Sequence, residues 1–538
     1  MLQYRVEKTG VLVIGAGITG LRAAIEASEQ GEDVLVLSKG PRCSWGIGGF
    51  NAAAGSNDST ELYYQDILAS GCGISDKALG AILAEDSMKE VRLLEERGMT
   101  FDHREDGEYD LLRPLGCTVP RLVHNESKTG TIAEGIFMRV LAERNVEVRE
   151  GVTVVELLSD GERVYGALGV DKDGAMTCWQ AKAVVMAAGG CGAMYPVTTY
   201  PAGLQGDSYG MLIRAGSEMI DMEFMQFEPC CLVEPEAMRG RGISTTMLSA
   251  GAVLRNAKGE EFLFNYFDSL AQVQKGELSR AIYAESRKCG GAPVEYDLTP
   301  LSSEEIDAHC IFSQQLRDHD YDAAVKPLKI LPAAHTFLGG ARVDETCATS
   351  LKGLYAAGEA MGGLHGANRI GGCAGAETFV FGAVAGRSAG AFAAANELDG
   401  DKAVAIADTL LAAYETEASD TAASAEELDR ILHETMVEKL YIIRDAEGIA
   451  SAAKIAAEVE HQARALRRDT PEKLLNASRI ENAALIVRMI AETSAHRQES
   501  RGVFFRSDYP ARDDAHFAVN YVAKKTGEQV TISKVDYS

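Results

Sequence analysis

The chain has 538 residues, of which 46% are hydrophobic and 25% charged, and its formal net charge is −26. A chain of this length is too long for one hydrophobic core, so we expect two to four globular domains. The strong negative charge disfavours nucleic acids and anionic membranes as partners, although a locally basic site could still bind an anionic substrate.

The first segment of the chain has the pattern of a strand, a glycine turn and a helix. Residues 11–14 are apolar, Gly15, Gly17 and Gly20 follow, and a second apolar run lies at 34–37. In such a βαβ unit the glycines permit a tight turn, approach of backbone N–H groups to a pyrophosphate, and close packing of helix on strand. The segment therefore predicts a dinucleotide site at the helix N-terminus.

The second strand of this unit ends in Ser38-Lys39 rather than in an acidic residue, which favours a flavoprotein over plain NAD binding. A glycine turn at 46–49 is predicted to enter a helix at 50–54. Further helices are predicted at 77–98 and 129–144, and strands at 146–150, 152–158, 165–170 and 183–188. The last strand runs into glycines, as the first strand does.

From about residue 223 to residue 333, short segments with scattered charges, Pro and Gly replace the βαβ pattern, which indicates an inserted domain. The pattern of an apolar strand that runs into glycine returns at residues 354–359. Residues 401–497 are rich in Ala and Glu at helical spacing and predict about three long helices in a bundle. The tail after residue 497 is predicted to form short strands and turns.

Eleven cysteines are scattered without paired spacing, apart from the adjacent Cys230-Cys231. This pattern predicts reduced structural thiols, no metal site, and no iron–sulfur cluster or c-type haem within the chain. The N-terminus shows no signal-peptide pattern, and the apolar stretch 381–395 is interrupted by Arg387. We therefore expect a cytoplasmic protein without a transmembrane segment.

Ten motifs, in order along nearly the whole chain, resemble the flavoprotein subunit of succinate dehydrogenase and fumarate reductase and the related L-aspartate oxidases. They lie at 15–20, 38–39, 48–49, 188–190, 206–207, 221–226, 335–340, 357–359, 365–369, and 499–502 with 508–510. The chance that all ten occur together in this order is negligible.

The resemblance implies an α/β fold: a Rossmann-like FAD-binding domain interrupted by an α+β capping domain, then a helical bundle domain and a small C-terminal domain. The expected boundaries are 1–222 with 334–400 for the FAD-binding domain, 223–333 for the capping domain, 401–497 for the helical domain and 498–538 for the C-terminal domain.

The resemblance also implies FAD as the cofactor. Ser38 is expected at the adenosine ribose, the backbone of Val154 at the adenine, and Asp207 and Glu359 along the ribose and ribityl chain. The full set of expected FAD contacts is Gly15, Ala16, Gly17, Thr19, Gly20, Ser38, Lys39, Ser44, Gly48, Gly49, Val154, Ala188, Gly189, Asp207, Glu359, Ala374 and Gly375. The last two are expected to present backbone N–H groups to the flavin ring.

Covalent attachment of FAD is not expected. Membrane-bound members of the family attach FAD through a His, and Arg42 followed by Cys43 stands at that position here. We therefore predict non-covalent FAD, with a thiol link through Cys43 as the alternative.

Half of the family's dicarboxylate site is retained. His335 and Arg369 match residues that bind one substrate carboxylate, and the planar Arg fork suits that task. In contrast, Glu228 replaces a His that binds the second carboxylate, and Lys275 replaces a catalytic Arg. Ser244-Thr245-Thr246 replaces a Thr-Glu-Gly motif.

A Phe-Gly-Gly loop near the flavin also differs, and reads Leu115-Gly116-Cys117 here.

An ionised Glu228 about 4 Å from a second substrate carboxylate would cost on the order of 4 kcal/mol at an effective dielectric constant near 20. Glu228 must therefore be protonated, or the substrate carries an amine, amide or hydroxyl at that end. A third interpretation is that Glu228 turns away and pairs with Arg239 or Arg241.

The leading functional hypothesis is reversible hydride transfer between FAD and a carboxylate substrate, with Lys275 as the proton donor or acceptor. The alternatives are an amino-acid oxidase of the aspartate oxidase type, a strict fumarate reductase or succinate dehydrogenase, and a flavin electron-transfer subunit without its own substrate. The redox partner is expected to be a separate iron–sulfur subunit, some other carrier or oxygen.

Overall fold

A computed structural model describes residues 2–40, 42–126, 128–269, 273–310, 312–418 and 423–537. The strands are β1 (Tyr4–Ile14), β2 (Val34–Ser38), β3 (Gly49–Asn51), β4 (Leu122–His124), β5 (Glu147–Glu150), β6 (Val152–Ser159), β7 (Val164–Asp171), β8 (Met176–Met186), β9 (Met219–Ile220), β10 (Met225–Leu232), β11 (Val253–Arg255), β12 (Val294–Asp297), β13 (Leu328–Phe337), β14 (Gly340–Ala341), β15 (Leu354–Ala356), β16 (Ile443–Arg444), β17 (Phe505–Arg506), β18 (Asn520–Thr526) and β19 (Gln529–Val535).

The α-helices are α1 (Ile18–Glu29), α2 (Thr60–Ser70), α3 (Lys77–Glu96), α4 (Thr129–Glu143), α5 (Asp207–Ala215), α6 (Lys275–Lys288), α7 (Ser303–His309), α8 (Ser313–Asp318), α9 (Cys373–Ala395), α10 (Gly400–Glu417), α11 (Ala425–Lys439), α12 (Ala446–Arg464), α13 (Pro471–His496) and α14 (Asp514–Phe517).

A seven-stranded sheet forms the centre of the molecule, in the order β5-β2-β1-β8-β7-β6, with β15 also paired to β8. The pairs among β5, β2, β1, β8 and β15 are parallel, whereas β6, β7 and β8 pair antiparallel. Residues 11–14 of β1 are almost fully buried, as a two-sided parallel sheet requires.

Helices α1 and α9 pack closely together beside this sheet. A Cβ atom built at Gly386 of α9 would lie 2.2 Å from the backbone oxygen of Ala23 in α1, so the two helices can approach this closely only with glycine there. In the described residues, α9 is the one helix long and apolar enough to cross a membrane, and 61% of its most apolar window is buried inside the protein.

The inserted segment builds a separate antiparallel sheet in the order β10-β13-β12-β11. Helix α6 packs on β10, and Ile282 of α6 joins Leu254, Tyr296 and Ile330 in a second hydrophobic core. Strands β10 and β13 lead from this sheet back to the main body, where Met225 pairs with Phe337. The domain boundaries predicted from the sequence stay predictions.

Two local predictions were wrong. Residues 49–51 form strand β3, which pairs with β4, because contacts to distant residues outweigh the local run of alanines. Buried Asn51, for example, donates a hydrogen bond to the backbone oxygen of Gly371. The described residues between 400 and 496 form four helices rather than about three, and α10 packs on β6, β7 and β8, where Leu474 of α13 joins the same hydrophobic cluster.

A fully buried ion-pair network connects distant parts of the chain. Arg497 Nε donates to Glu223 Oε1 at 2.8 Å, Arg497 Nη1 to Glu499 Oε1 at 3.0 Å, and Arg501 Nε to Glu499 Oε1 at 2.6 Å. These four side chains have no solvent exposure. They join the end of α13 and the tail to the segment just before β10.

We predict that Arg497→Met lowers the free energy of unfolding by about 3–5 kcal/mol, because it leaves two glutamates buried without this partner. Chemical denaturation of the purified protein measures this change. The control is Arg430→Met, which breaks an exposed pair with Glu434 and should cost less than about 1 kcal/mol. Equal effects of the two substitutions would contradict the role given to the buried network.

Candidate active site

The N-terminus of α1 forms a cradle suited to a pyrophosphate. Gly15 has a φ of +108°, and a Cβ at Gly20 would lie 1.8 Å from the Gly15 oxygen, so both positions require glycine. Gly17 is the N-cap, no side chain caps this helix, and its first turn contains no acidic residue. A Cβ at Gly17 would meet no protein atom within 4 Å. This open, uncapped helix end fits the phosphates of FAD.

A second uncapped helix N-terminus begins α9. Its N-cap is Gly372, with a φ of +82°, and no side chain caps the helix. A Cβ at Gly375 would lie 2.9 Å from the Gly49 oxygen, so the structure brings these two predicted FAD contacts together. Backbone N–H groups in the first turn of a helix have no intrahelical acceptor. Ala374 and Gly375 can therefore present such groups to a flavin ring, as predicted.

The predicted adenosine contacts adjoin a cleft. Ser38 is buried at the end of β2, and Val154 is buried in β6. A cavity with an accessible volume of about 460 Å³ opens beside their neighbours Lys39 and Thr153. Lys39 Nζ forms an ion pair with Asp207 at 2.7 Å. Of the predicted FAD contacts, Lys39 lines this cavity, whereas Ser38, Val154 and Asp207 are not among its lining residues.

The other predicted FAD contacts lie in the strand-to-helix turns around this cradle. Ala16 and Thr19 are buried at the start of α1, and Ala188 and Gly189 follow β8 directly. The backbone oxygen of Gly48 accepts a hydrogen bond from Thr129 at 2.8 Å. The Ser44 hydroxyl donates to Glu134. Ser44 therefore has a protein partner of its own.

Glu359 has a strongly perturbed carboxyl group. Burial raises its pKa to about 7, although it accepts hydrogen bonds from Tyr200 and, at 2.8 Å, from the Phe337 backbone N–H. Cys43 lies nearby, and burial raises the pKa of its thiol to about 12. Arg42 pairs with Glu134 at 2.7 Å. Cys43 therefore presents a protonated thiol at neutral pH, and the non-covalent binding of FAD stays a prediction.

On the capping side, an ion pair forms the core of the site. Lys275 is the first residue of α6, and its Nζ lies 2.6 Å from Glu228 Oε2 on β10. Burial acts to raise the pKa of Glu228, but the adjacent charge and hydrogen bond of Lys275 outweigh it, and the pKa lies below its ordinary value. Glu228 is therefore ionised at neutral pH.

This ion pair decides between the interpretations of Glu228. Arg239 lies 3.5 Å from Glu236, and the Arg241 guanidinium lies over the Trp45 ring. The expectation that Glu228 turns away to pair with Arg239 or Arg241 was wrong, because Lys275 approaches from the N-terminus of α6. The Ser244 and Thr246 hydroxyls lie 2.7 Å apart and contact each other.

His335 lies on β13, beside the strand that carries Glu228. Burial lowers the pKa of His335 to about 4, although the charge of Glu228 acts in the opposite direction. The imidazole is therefore neutral at pH 7. Its Nδ1 lies 3.1 Å from the Thr199 hydroxyl, which fixes the ring orientation. A neutral His335 can donate one N–H to a substrate carboxylate without adding charge.

Arg369 is oriented by a residue to which the sequence analysis gave no role. Gln226 Oε1 accepts from Arg369 Nε at 3.1 Å and from Nη2 at 2.8 Å. Gln226 Nε2 donates back to the Arg369 backbone oxygen at 3.1 Å. Gln226 lies two residues from Glu228 on β10. This strand therefore positions the Glu228 carboxylate directly and the Arg369 guanidinium through Gln226. The sequence motif at 221–226, which contains Gln226, could have indicated that Gln226 orients Arg369.

Two other contacts were also missed. Thr199 orients His335, and no local pattern marks it. Trp45 follows Ser44 on the FAD side, and the Cζ of Arg241 from the inserted segment lies 4.6 Å from its ring centroid. This contact connects the two sides of the site. Among the described residues, no group of three or more His, Cys, Asp or Glu side chains could hold a metal ion.

Comparisons with known proteins agree along the whole chain. A family model described as an FAD binding domain matches residues 10–374, and one described as the C-terminal part of a fumarate reductase flavoprotein matches 429–538. The chain is 33% identical to a subunit of the CoM/CoB fumarate reductase of Methanothermobacter marburgensis, over 93% of this chain and 94% of the relative. It is 31% identical to an L-aspartate oxidase of Caulobacter vibrioides, over 95% and 96%.

A solved structure of an E. coli quinol fumarate reductase FrdA variant is also similar. It matches with a TM-score of 0.89 at 25% identity, covering 99% of this chain and 97% of that one.

We predict that Gly17→Ala weakens FAD binding by at least about tenfold, because the added methyl group meets the cofactor rather than the protein. Titration of the apoprotein with FAD measures this affinity, and unfolding of the apoprotein should be unchanged. The control is Gly135→Ala on the exposed face of α4, where a methyl group also meets no atom within 4 Å. Equal FAD affinity in both variants would contradict the assignment of the cradle.

We predict that the His335 imidazole stays neutral from pH 8 down to about pH 5.5, because burial disfavours its charged form and its pKa is about 4. NMR spectra of protein with labelled histidine would show this state, and comparison with His335→Gln would assign the signal. A His335 pKa above about 6 would overturn the neutral assignment.

Proposed function

Because the chain belongs to the fumarate reductase and L-aspartate oxidase family of FAD-dependent oxidoreductases, we propose that it transfers a hydride between FAD and a carboxylate substrate. The reaction is the reduction of an α,β-unsaturated carboxylate, or its reverse. The family matches confirm the resemblance, the fold class and the FAD cofactor that the motifs predicted. When bound, FAD supplies the hydride chemistry at its N5 atom.

The observation that carries the proposal is the Lys275–Glu228 ion pair, since Glu228 lies on β10, which pairs with the strand of His335 and carries Gln226, the partner of Arg369. Arg369 and His335 bind the substrate carboxylate, and the positive charge of Arg369 stabilises the negative charge that develops on it. Lys275 gives a proton to carbon α or takes one from it. Glu228 keeps the Lys275 ammonium in place between turnovers.

The charges of the site favour a substrate with one carboxylate. Lys275 and Arg369 each contribute one positive charge, Glu228 contributes one negative charge, and His335 is neutral at pH 7, which leaves a net charge of +1. One carboxylate neutralises this charge. An unpaired Glu228 would repel a second carboxylate at 4 Å by about 4 kcal/mol, and the Lys275 ammonium 2.6 Å from Glu228 reduces this repulsion without replacing the charge that Glu228 contributes. We therefore propose that the remote end of the substrate carries no carboxylate.

Amino-acid oxidation of the aspartate oxidase type is the second candidate. The L-aspartate oxidase relatives and the negative charge of Glu228 favour it, since a carboxylate could bind a substrate ammonium. Against it, Glu228 Oε2 already accepts a hydrogen bond from Lys275 at 2.6 Å. The electron partner is proposed to be a separate redox protein, in line with the quinol fumarate reductase relative. The cytoplasmic location stays a prediction.

The experiment is anaerobic reoxidation of the reduced holoenzyme, followed by flavin absorbance. We expect 2-enoates with one carboxylate to reoxidise it faster than fumarate, and Lys275→Met to slow this step by at least about 100-fold with FAD still bound. The control is Lys288→Met at the exposed end of the same helix, which should react normally. Normal reoxidation of Lys275→Met would disprove the role of Lys275. In a separate aerobic assay that starts from oxidised enzyme, peroxide formed from O2 with amino acids as the only reductants would favour the oxidase.

We predict that Glu228→Gln raises kcat/KM for fumarate, relative to a one-carboxylate enoate, by at least about tenfold. The substitution removes a negative charge and leaves Lys275 free to bind a second carboxylate. Steady-state kinetics with the two substrates measure this ratio. A ratio that is unchanged or lower would show that Glu228 does not select against a second carboxylate.

A further inference from the structure

We propose that Cys117 and Cys373 form a second two-electron redox centre beside the flavin site, a dithiol that converts reversibly into a disulfide. This proposal goes beyond the reaction proposed above and depends only on the FAD cofactor of the family. It does not depend on the identity of the substrate.

The two thiols meet at one buried side chain. Asn51 on β3 has no solvent exposure, and its Nδ2 lies 3.7 Å from Cys117 Sγ and 3.6 Å from Cys373 Sγ. The Tyr63 hydroxyl lies 3.3 Å from Cys373 Sγ. Both cysteines are free thiols with at most 5% exposure. Three distant segments of the chain thus bring two sulfur atoms to the same amide group.

The same segments adjoin the expected position of the flavin ring. Cys373 is the first residue of α9, directly before Ala374 and Gly375. Asn51 lies two residues after Gly49, the other FAD contact that packs against this helix end. The loop of Cys117 is joined to the same place, since the Gly371 N–H donates to the Leu115 oxygen at 3.2 Å. The thiols are therefore close to predicted flavin contacts.

The backbone next to each cysteine can adjust. Gly116 precedes Cys117 with a φ of +92°, and Gly372 precedes Cys373 with a φ of +82°. Glycine allows changes of φ and ψ that other residues resist, and the disulfide requires such a movement to bring the two sulfur atoms, which both contact the Asn51 amide, into bonding distance.

A buried cation also lies close to both thiols. Arg121 has no solvent exposure and lies over the Tyr63 ring, with Cζ 4.6 Å from the centroid. Among the described residues, its Nε and Nη1 have no hydrogen-bond partner. Burial raises the pKa of Cys117 to about 12, and the charge of Arg121 opposes this effect. Arg121 is also paired with Asp66 at 2.8 Å and with Asp58 at 3.3 Å, so a thiolate formed during disulfide exchange would have a cation beside it whose charge is already partly compensated.

The reaction is balanced with the cofactor of the family as electron acceptor. Two S–H bonds break, one S–S bond forms, and the two electrons and two protons pass to oxidised FAD. In the reverse direction reduced FAD returns two electrons and two protons to the disulfide. The pair of cysteines would thus store two additional electrons next to the reacting centre.

The ordinary explanation for buried cysteines is packing, because a thiol behaves as a small apolar group. Cys178 on β8 is such a thiol, and it is fully buried in the core beside Leu168 and Ala407. It provides the matched control. A packing role predicts that all the buried cysteines stay reduced through the redox cycle. The proposal predicts that Cys117 and Cys373 form a disulfide in the oxidised protein.

The test counts electrons. The holoenzyme is oxidised with diamide, desalted and titrated anaerobically with dithionite. We expect the wild type and Cys178→Ser to take up two electrons per FAD more than Cys117→Ser or Cys373→Ser. The hydroxyl of Ser can accept the same hydrogen bond from Asn51, and FAD content and thermal unfolding confirm that each variant is folded. Equal electron uptake in wild type and both variants would overturn the proposal.

A second measurement uses the wild type alone. Free thiols of the oxidised and of the reduced holoenzyme are alkylated in denaturant, and the peptides are identified by mass spectrometry. We expect a Cys117–Cys373 disulfide in the oxidised sample and two alkylated residues in the reduced one. Free Cys117 and Cys373 in the oxidised sample, or a disulfide between either of them and another cysteine, would disprove the pair.

Discussion

The buried network of Arg497, Glu223, Glu499 and Arg501 is the constraint on which the arrangement of the whole chain depends. A charge without solvent contact must be paired, and removing one partner is far more costly than losing an exposed pair. Glu223 lies two residues before β10, and its partners lie after α13 and in the tail. The tail therefore cannot leave without exposing charges directly behind the strand that carries Gln226 and Glu228.

The requirement that charges away from solvent be paired has a different result in the active site. There Lys275 and Glu228 are paired, and Gln226 orients Arg369, which forms no ion pair within 4 Å among the described residues. The site therefore contains one cation without an ion-pair partner, together with a neutral His335. In the function proposed above, a substrate carboxylate completes this balance, and the proposed class of substrate therefore depends on the charge state of Glu228.

Much of the fold could be predicted from the sequence because its signals are local. The strand, glycine turn and helix at 11–29 follow from apolar periodicity, and Gly15 and Gly20 are required by close backbone contacts. Where long-range pairing competes with propensity, local signals failed. The run after Gly49 contains three alanines, but β3 pairs with β4. Likewise, composition could not show that α10 packs on the central sheet.

For the site, motifs marked the candidate residues, namely the glycine turns, His335, Arg369, Glu228 and Lys275, and their chemical roles stay predictions. Only the tertiary structure decided what those residues do to one another. The pairing of Lys275 with Glu228, the half-buried and neutral state of His335, and the meeting of two thiols at Asn51 join segments that are far apart in the chain. The reason is physical, since ionisation and hydrogen bonding depend on the atoms that surround a group in space and not on its neighbours in sequence.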